Sequence, residues 1–197
     1  MVYAGRTNRG GNLPEPEQEG FLKNANVVTG AAGLVALGRA GMMLARRRPS
    51  LKAVKQIDLA RYLGAWRVIA CTDNMVERNF TDAVESYAQD SAGHIHVHFR
   101  WHDKALNGPV KTFDFEGEVA DESQARWRMK LLPPFRADYV ILAVDRDYQW
   151  AVVGHPSRKF GWLLARQKRV SDAVWRPAMG VFRQNGYDTA IFRRVPQ

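Results

Sequence analysis

The chain has 197 residues, of which 46% are hydrophobic and 25% are charged, a composition typical of a globular protein. A single cysteine excludes an intrachain disulfide and also a zinc finger or zinc ribbon. The net charge of +9 first suggests a nucleic-acid partner. However, +6 of it lies in residues 1–55 and only +3 in residues 56–197. Because residues 56–197 carry nearly balanced charges, a nucleic-acid partner is not expected.

Two different segments precede the body of the chain. Residues 1–24 are polar, rich in glycine, proline and glutamate, and lack an apolar period, so we predict a disordered tail. Residues 25–45 are mostly small and apolar apart from Arg39, and three arginines follow at 46–48. Twenty-one residues are just enough to cross a bilayer core, which needs about 20. We predict an apolar membrane-anchor helix over residues 25–48; the alternative is a soluble tail helix.

From Ile57 onward the sequence consists of short runs in which apolar and polar residues alternate, and turn signals separate these runs. A period of two is typical of strands with one buried face. Evenly spaced short strands favour an antiparallel barrel or sandwich. The predicted strands are 65–71, 82–90, 94–101, 111–119, 125–131, 138–144, 149–154 and 160–166.

One helix is predicted after these strands, from the N-cap Ser171 to the stop signal Asn185-Gly186. Apolar residues at helical spacing would dock it on a sheet. They are Val174, Ala178, Val181 and Phe182. Pro177 lies inside this span, so either the first turn is irregular or the helix begins at the proline. Residues 189–195 are predicted to add an edge strand.

Three stretches resemble the signature motifs of the lipocalin family. Residues 58–70 resemble the opening motif, a short turn followed by Gly-x-Trp on the first strand. Residues 144–148 (Val-Asp-Arg-Asp-Tyr) resemble the second motif, with valine in place of threonine, and residues 161–166 (Gly-Trp-Leu-Leu-Ala-Arg) resemble the third. The resemblance covers about residues 57–197 and is nearest to the bacterial lipocalins, which resemble apolipoprotein D.

The resemblance implies an eight-stranded up-and-down barrel with a C-terminal helix, here preceded by the apolar N-terminal helix. It also implies a structural signature made of Gly64, Trp66, Asp145 and Arg166. In the family the tryptophan and the arginine stack at the closed end of the barrel. A guanidinium over an indole contributes about 1–2 kcal/mol when it is partly desolvated.

Alternation within the strands also suggests which residues line the barrel. We predict that the ligand-lining residues are Phe113, Phe115, Trp127, Met129, Tyr139 and Trp162. Tyr139 matches a ligand-facing tyrosine of bacterial lipocalins. The resemblance implies a carrier of a fatty acid or lysophospholipid that needs no cofactor and is not an enzyme. The alternative for these aromatic residues is that they simply fill the barrel.

Two further function classes depend on particular residues. A tetrapyrrole or haem binder would require His94, His96 and His98 to face inward, but we expect them on the solvent face of their strand. A lipid-modifying enzyme would use Cys71. Counting alternate residues from Trp66 places Cys71 on the outside of the barrel, under the C-terminal helix, where a buried thiol is inert.

Two arguments predict different cellular locations for the barrel. The resemblance implies membrane association in the bacterial cell envelope. The positive-inside rule points to a cytoplasmic barrel, because five basic residues follow the apolar segment closely and only Lys23 precedes it closely. The five are Arg46, Arg47, Arg48, Lys52 and Lys55. The side of the membrane is left open between these two arguments.

Overall fold

The computed structural model describes residues 49–75, 77–132 and 134–197. The expectations for the tail 1–24 and for the apolar segment 25–48 lie outside these residues.

Nine strands and two α-helices make up the described part of the chain. The strands are β1 (Gly64–Thr72), β2 (Phe80–Gln89), β3 (His94–Asp103), β4 (Val110–Val119), β5 (Arg126–Leu132), β6 (Phe135–Val144), β7 (Trp150–Gly154), β8 (Gly161–Ala165) and β9 (Phe192–Arg194). The helices are α1 (Leu59–Tyr62) and α2 (Asp172–Gln184), and a 3₁₀ turn spans Thr189–Ile191.

The strands form one closed antiparallel barrel. Each strand from β2 to β7 pairs with the next, and β1 pairs with both β8 and β2, which closes the ring of eight. The short strand β9 adds to β1 outside the ring. The prediction of an all-β, eight-stranded up-and-down barrel with a C-terminal helix is confirmed. Closure removes the unpaired edges that an open sheet would expose.

Helix α2 covers one side of the barrel wall. It buries Ala178, Met179 and Phe182 against the outward faces of neighbouring strands. The helix begins at Asp172, so Pro177 lies inside it. The proline is exposed, and its ring therefore does not interfere with the docking face.

A change of register in β1 alters which residues point into the barrel. Val68 pairs with Leu164 and Ala70 with Leu163, so one extra residue of β1 is accommodated between these two pairs. A bulge of this kind reverses the inside and outside positions that follow it. Cys71 therefore packs in the interior with Trp66 and Val68, and Ala70 packs on the helix side. The prediction that Cys71 lies outside under the helix is wrong.

Candidate functional site

One end of the barrel is closed by Trp66 and Arg166. The guanidinium carbon of Arg166 lies 3.7 Å from the indole centroid, and Trp66 is fully buried. The arginine also donates hydrogen bonds of 2.8 to 3.2 Å to main-chain carbonyls around α1. The acceptors are Arg61, Tyr62, Leu63 and Ala65. Arg166 therefore binds the main chain of residues 61–65 to the floor of the barrel.

The other two signature residues have local structural tasks. Gly64 has a φ of +90°, which favours glycine, and a side chain there would approach Arg166 Nη1. Asp145 caps the turn between β6 and β7, where its Oδ1 accepts from the backbone N–H of Trp150 at 2.9 Å and from that of Gln149. Neither residue borders the cavity described below.

A layer of aromatic rings lies on this floor. Trp127 is stacked on Tyr139 with 5.0 Å between ring centroids, and it meets Tyr62 and Tyr87 edge-on. Its indole N–H donates to the Gln124 carbonyl at 2.7 Å. Trp127 points inward as its parity suggests, but it is buried in this layer and is not among the residues that line the cavity.

The hydroxyls of the layer form a chain of hydrogen bonds. Tyr139 Oη lies 2.7 Å from Tyr62 Oη and 2.9 Å from Tyr87 Oη. The Tyr87 hydroxyl donates onward to Oε2 of Glu85. Buried hydroxyls need such partners, because an unpaired one costs the full desolvation penalty. These hydrogen bonds link the barrel floor to the Glu85 carboxylate in the barrel wall.

Above this layer lies a cavity of about 400 Å³. This volume is within the range of about 300–1,000 Å³ that is typical of small-molecule sites. Five of the six predicted lining residues border it, namely Phe113, Phe115, Met129, Tyr139 and Trp162. Phe80, Phe99, Trp101 and Phe160 also contribute to the wall. The predicted residues are thus brought together around one apolar space, with Trp127 beneath it.

A buried carboxylate that the sequence did not predict, Glu77, lies in the cavity wall. Glu77 follows β1 and is only 6% exposed. Its Oε1 accepts from the Trp162 indole N–H and its Oε2 from the Asn74 amide, both at 2.7 Å. Burial raises the pKa of Glu77 to about 7, although these hydrogen bonds act in the opposite direction. No strand pattern could have indicated this residue, because it lies in a loop.

A second carboxylate, Glu85, was also missed although a signal existed. Ala83 and Tyr87 occupy inward positions of β2, and Glu85 stands between them with the same parity. Burial raises the pKa of Glu85 to about 7, the Tyr87 hydrogen bond lowers it, and the nearby Glu77 raises it further. A charged residue at an inward position is the kind of departure that marks a functional site.

Cys71 lies close to Glu77 in the barrel interior, fully buried. Burial is the main cause that raises the pKa of the Cys71 thiol far above its ordinary value, and the adjacent Glu77 charge adds to it. A nucleophilic cysteine needs the opposite shift, since the thiolate is the reactive form.

The three alternate histidines of β3 lie on the outer face of the barrel, as expected. His94, His96 and His98 are each about half exposed and interact with Asp90, Glu116 and Asp114 on the surface. Within the described ranges no group of three or more histidine, cysteine or acidic residues is arranged to hold a metal ion. The histidine of the cavity wall is instead His155, whose Nδ1 lies 2.8 Å from Ser157 Oγ.

Comparison with known protein families agrees with this architecture. The family profile of the lipocalin-like domain matches residues 57–197. The chain belongs to the lipocalin family. Among curated relatives, temperature-induced lipocalin-1 of Arabidopsis thaliana is 26% identical over 158 residues, covering 76% of this chain and 84% of that protein. The outer membrane lipoprotein Blc of Escherichia coli K12 is 27% identical over 144 residues, covering 73% and 81%.

Solved structures show the same lipocalin fold at lower identity. Insecticyanin from the tobacco hornworm Manduca sexta superposes with a TM-score of 0.60 at 21% identity, covering 76% of this chain and 85% of that one. Lobster apocrustacyanin A1 gives a TM-score of 0.56 at 17% identity, covering 70% and 78%.

Among residues 49–75, 77–132 and 134–197, no helix combines the length and the apolar character that crossing a membrane requires.

Proposed function

We propose that this lipocalin binds and carries a small lipophilic ligand, a fatty acid or a lysophospholipid, in the barrel cavity. The observation that supports the proposal is the cavity itself, an apolar and aromatic space inside a closed barrel of this family. Its wall offers rings and aliphatic groups for an acyl chain, and the opposite end of the barrel is filled by Trp66, Arg166 and the aromatic layer.

Burial of an acyl chain supplies the free energy of binding. Each buried CH₂ contributes about 0.8 kcal/mol, so sixteen carbons offer about 12 kcal/mol before the losses of entropy on association. After those losses we expect micromolar or tighter dissociation constants. Trp162 and Trp101 border the cavity, so a bound chain should change tryptophan fluorescence.

The test compares two phenylalanine substitutions at neighbouring positions of β6. Ala137 lines the cavity opposite Met129, so Ala137→Phe places a ring in the space for the ligand. Arg136 is exposed on the outer face, so Arg136→Phe adds the same ring outside. We expect oleate and lysophospholipid to bind at least about tenfold more weakly to Ala137→Phe and normally to Arg136→Phe. Absence of saturable binding to the unaltered chain would contradict the carrier proposal.

The structure gives the two alternatives less support. The haem hypothesis depended on inward-facing histidines, and His94, His96 and His98 face outward. The enzyme hypothesis depended on Cys71, whose thiol is buried with a raised pKa. We therefore propose a binding protein without a cofactor and without catalytic residues.

We further propose that the protein is associated with a membrane of the bacterial cell envelope through residues 25–48. Two observations support this. The segment is apolar over 21 residues and ends in arginines. Several relatives, including that of Escherichia coli, are named outer membrane lipoproteins.

A further inference from the structure

We infer that the open end of the barrel docks on the surface of a lipid bilayer, with the exposed apolar side chains of its rim inserted between the lipids. The open end is formed by the connections β1–β2, β3–β4 and β7–β8, on the side away from Trp66 and Arg166. The inference rests on the proposed membrane association, to which it adds the surface of the barrel that meets the membrane. The entrance of the cavity would then face the bilayer.

The exposed large apolar side chains are concentrated at this end. Within the described part of the chain they are Met75, Leu106, Val110 and Ile191, with exposed fractions between 37% and 84%. Met75 lies in the β1–β2 connection, Leu106 in the β3–β4 connection, and Val110 begins β4. Ile191 belongs to the same end, because its carbonyl accepts from the N–H of Asp73, just after β1, at 2.6 Å. Single exposed apolar residues are ordinary on a protein surface, but their concentration at one end marks an interaction surface.

Main-chain hydrogen bonds hold the connections that carry these side chains. The N–H of Lys104 donates to the carbonyl of Asn79 at 2.7 Å, which joins the β3–β4 connection to the β1–β2 connection. The N–H of Asp103 donates to the carbonyl of Pro109 at 3.0 Å and closes the β3–β4 connection. An ordered rim therefore presents the apolar side chains to the solvent. Transfer of such side chains from water into an apolar phase is favourable.

The path of the chain joins the proposed membrane segment to the same end. The carbonyl of Pro49 accepts a hydrogen bond from Arg158, which lies in the β7–β8 connection. The N–H of Lys52 donates to Oδ1 of Asn185, the residue that ends α2, at 2.7 Å. Since the proposed membrane segment ends at residue 48, it is covalently attached at the open end. A bilayer that holds this segment thus approaches the barrel at the entrance of the cavity.

The charges of the open end suit the head groups of anionic lipids. Two charged residues of the three connections, Glu77 and Arg158, are buried. The other charged residues are exposed, and three of these four are basic. They are Arg78, Lys104, Lys159 and the acidic Asp73. Basic residues beside exposed apolar side chains are the combination that binds an anionic lipid surface.

The experiment measures whether single positions of the full chain enter the bilayer. Cys71 is fully buried, so a cysteine introduced at an exposed position can be labelled alone with the fluorophore NBD. The label is placed at Leu106→Cys on the open end. The matched control is Ala92→Cys, an exposed position of the β2–β3 connection at the closed end. The labelled chains are mixed with vesicles of phosphatidylcholine and phosphatidylglycerol that contain a phospholipid with a nitroxide quencher near the top of its acyl chain.

We expect the label at Leu106→Cys to be quenched at least about threefold more than the label at Ala92→Cys, because an inserted interfacial group lies about 5–10 Å below the membrane surface. Addition of Met75→Asp and Val110→Asp to the Leu106→Cys protein should lower its quenching to that of the control position. The reason is that charged side chains are costly to insert among acyl chains.

The control for the added charges is Ala60→Asp combined with Ala120→Asp. These substitutions place the same two charges at exposed positions of α1 and of the β4–β5 connection, at the closed end of the barrel. Quenching of the label at Leu106→Cys should be unchanged in this protein. Thermal unfolding verifies that each variant is folded.

Equal quenching at positions 106 and 92, or stronger quenching at 92, would overturn the inference. When the protein still sediments with the vesicles, that result leaves the membrane association standing. Quenching at position 106 that survives Met75→Asp and Val110→Asp would overturn it as well. So would a blue shift of this label that grows with protein concentration without vesicles, since the rim would then bind a second copy of the chain. Protein that neither sediments nor shows quenching would overturn both proposals.

Discussion

Trp66 and Arg166 should both stabilise the folded barrel, because they are stacked on each other at its closed end. Trp66→Ala should lower the free energy of unfolding by about 3–5 kcal/mol, as other large-to-small core changes do. Arg166→Ala should cost about 1–3 kcal/mol, because several main-chain carbonyls lose their donor. Since the two side chains are in contact at 3.7 Å, urea unfolding of the double variant should reveal a coupling energy of about 1–2 kcal/mol.

The control for this cycle is Arg128→Ala, an arginine about half exposed on the outer face of β5. Its effect should add to that of Trp66→Ala without coupling. Strict additivity for Trp66 and Arg166 would show that their contact does not stabilise the barrel.

Glu85 should make the free energy of unfolding depend on pH. Its pKa is raised by burial to about 7, so the folded state holds the proton more strongly than the unfolded state. This contribution to stability is fully present below about pH 4.5 and is lost as the pH rises through about 7. Glu85→Gln should therefore match the unaltered protein near pH 5 and exceed its free energy of unfolding at pH 8, by an amount on the order of 1–3 kcal/mol.

Urea denaturation across pH 5 to 8 measures this difference, with Glu116→Gln as a control that should leave the profile unchanged. Glutamine at position 85 can still accept the hydrogen bond from Tyr87, so the change isolates the charge. If the free energy of unfolding of Glu85→Gln changes with pH in the same way as that of the unaltered protein, the raised pKa of Glu85 is contradicted.

Among the secondary-structure elements, the strands could be predicted from the sequence. The alternation of apolar and polar side chains is contained within each strand and does not depend on its partners. The period of two in residues 94–101 identifies β3, and the three signature motifs place Trp66, Asp145 and Arg166 before any coordinates are known. Parity also orients residues correctly where a strand is regular, as for Phe113 and Phe115 on β4.

Local patterns fail where pairing between distant strands decides the outcome. The extra residue of β1 between Val68 and Ala70 exists only relative to β8, and it turned Cys71 inward. Trp127 shows a related limit: its inward direction follows from parity, but its depth depends on Tyr62 and Tyr139 around it. Sequence spacing contains neither the register of a partner strand nor the depth of a side chain in a closed barrel.

At the scale of the whole molecule, the barrel is closed at one end and holds its cavity toward the other. The closed end is the side of α1, where Arg166 and Trp66 meet. The cavity wall includes residues from the connections β1–β2, β3–β4 and β7–β8, among them Met75, Lys104 and His155. A ligand should therefore enter between these connections. Pro49, the first described residue after the proposed membrane segment, accepts a hydrogen bond from Arg158 of the β7–β8 connection, so residue 49 lies at the same end of the barrel as these connections.

The proposed membrane segment, residues 25–48, could associate with a bilayer in two ways. If residues 25–48 span a bilayer, the full chain should remain in the membrane pellet after a wash with high salt. If the segment instead lies on the surface, with its arginines on anionic head groups at about 1 kcal/mol each, the wash should release the protein. A variant in which Arg46, Arg47 and Arg48 are replaced by glutamine separates the two modes, because only surface binding depends on those charges.

Full-length protein that is already soluble at low salt would contradict the membrane proposal altogether. Where the pellet retains the chain, a C-terminal reporter that is active only in the periplasm determines the side. Five basic residues after the segment against one nearby before it favour a cytoplasmic barrel by the positive-inside rule. An active reporter would therefore show that export overrides the charge distribution and would place the ligand cavity in the same compartment as the reporter.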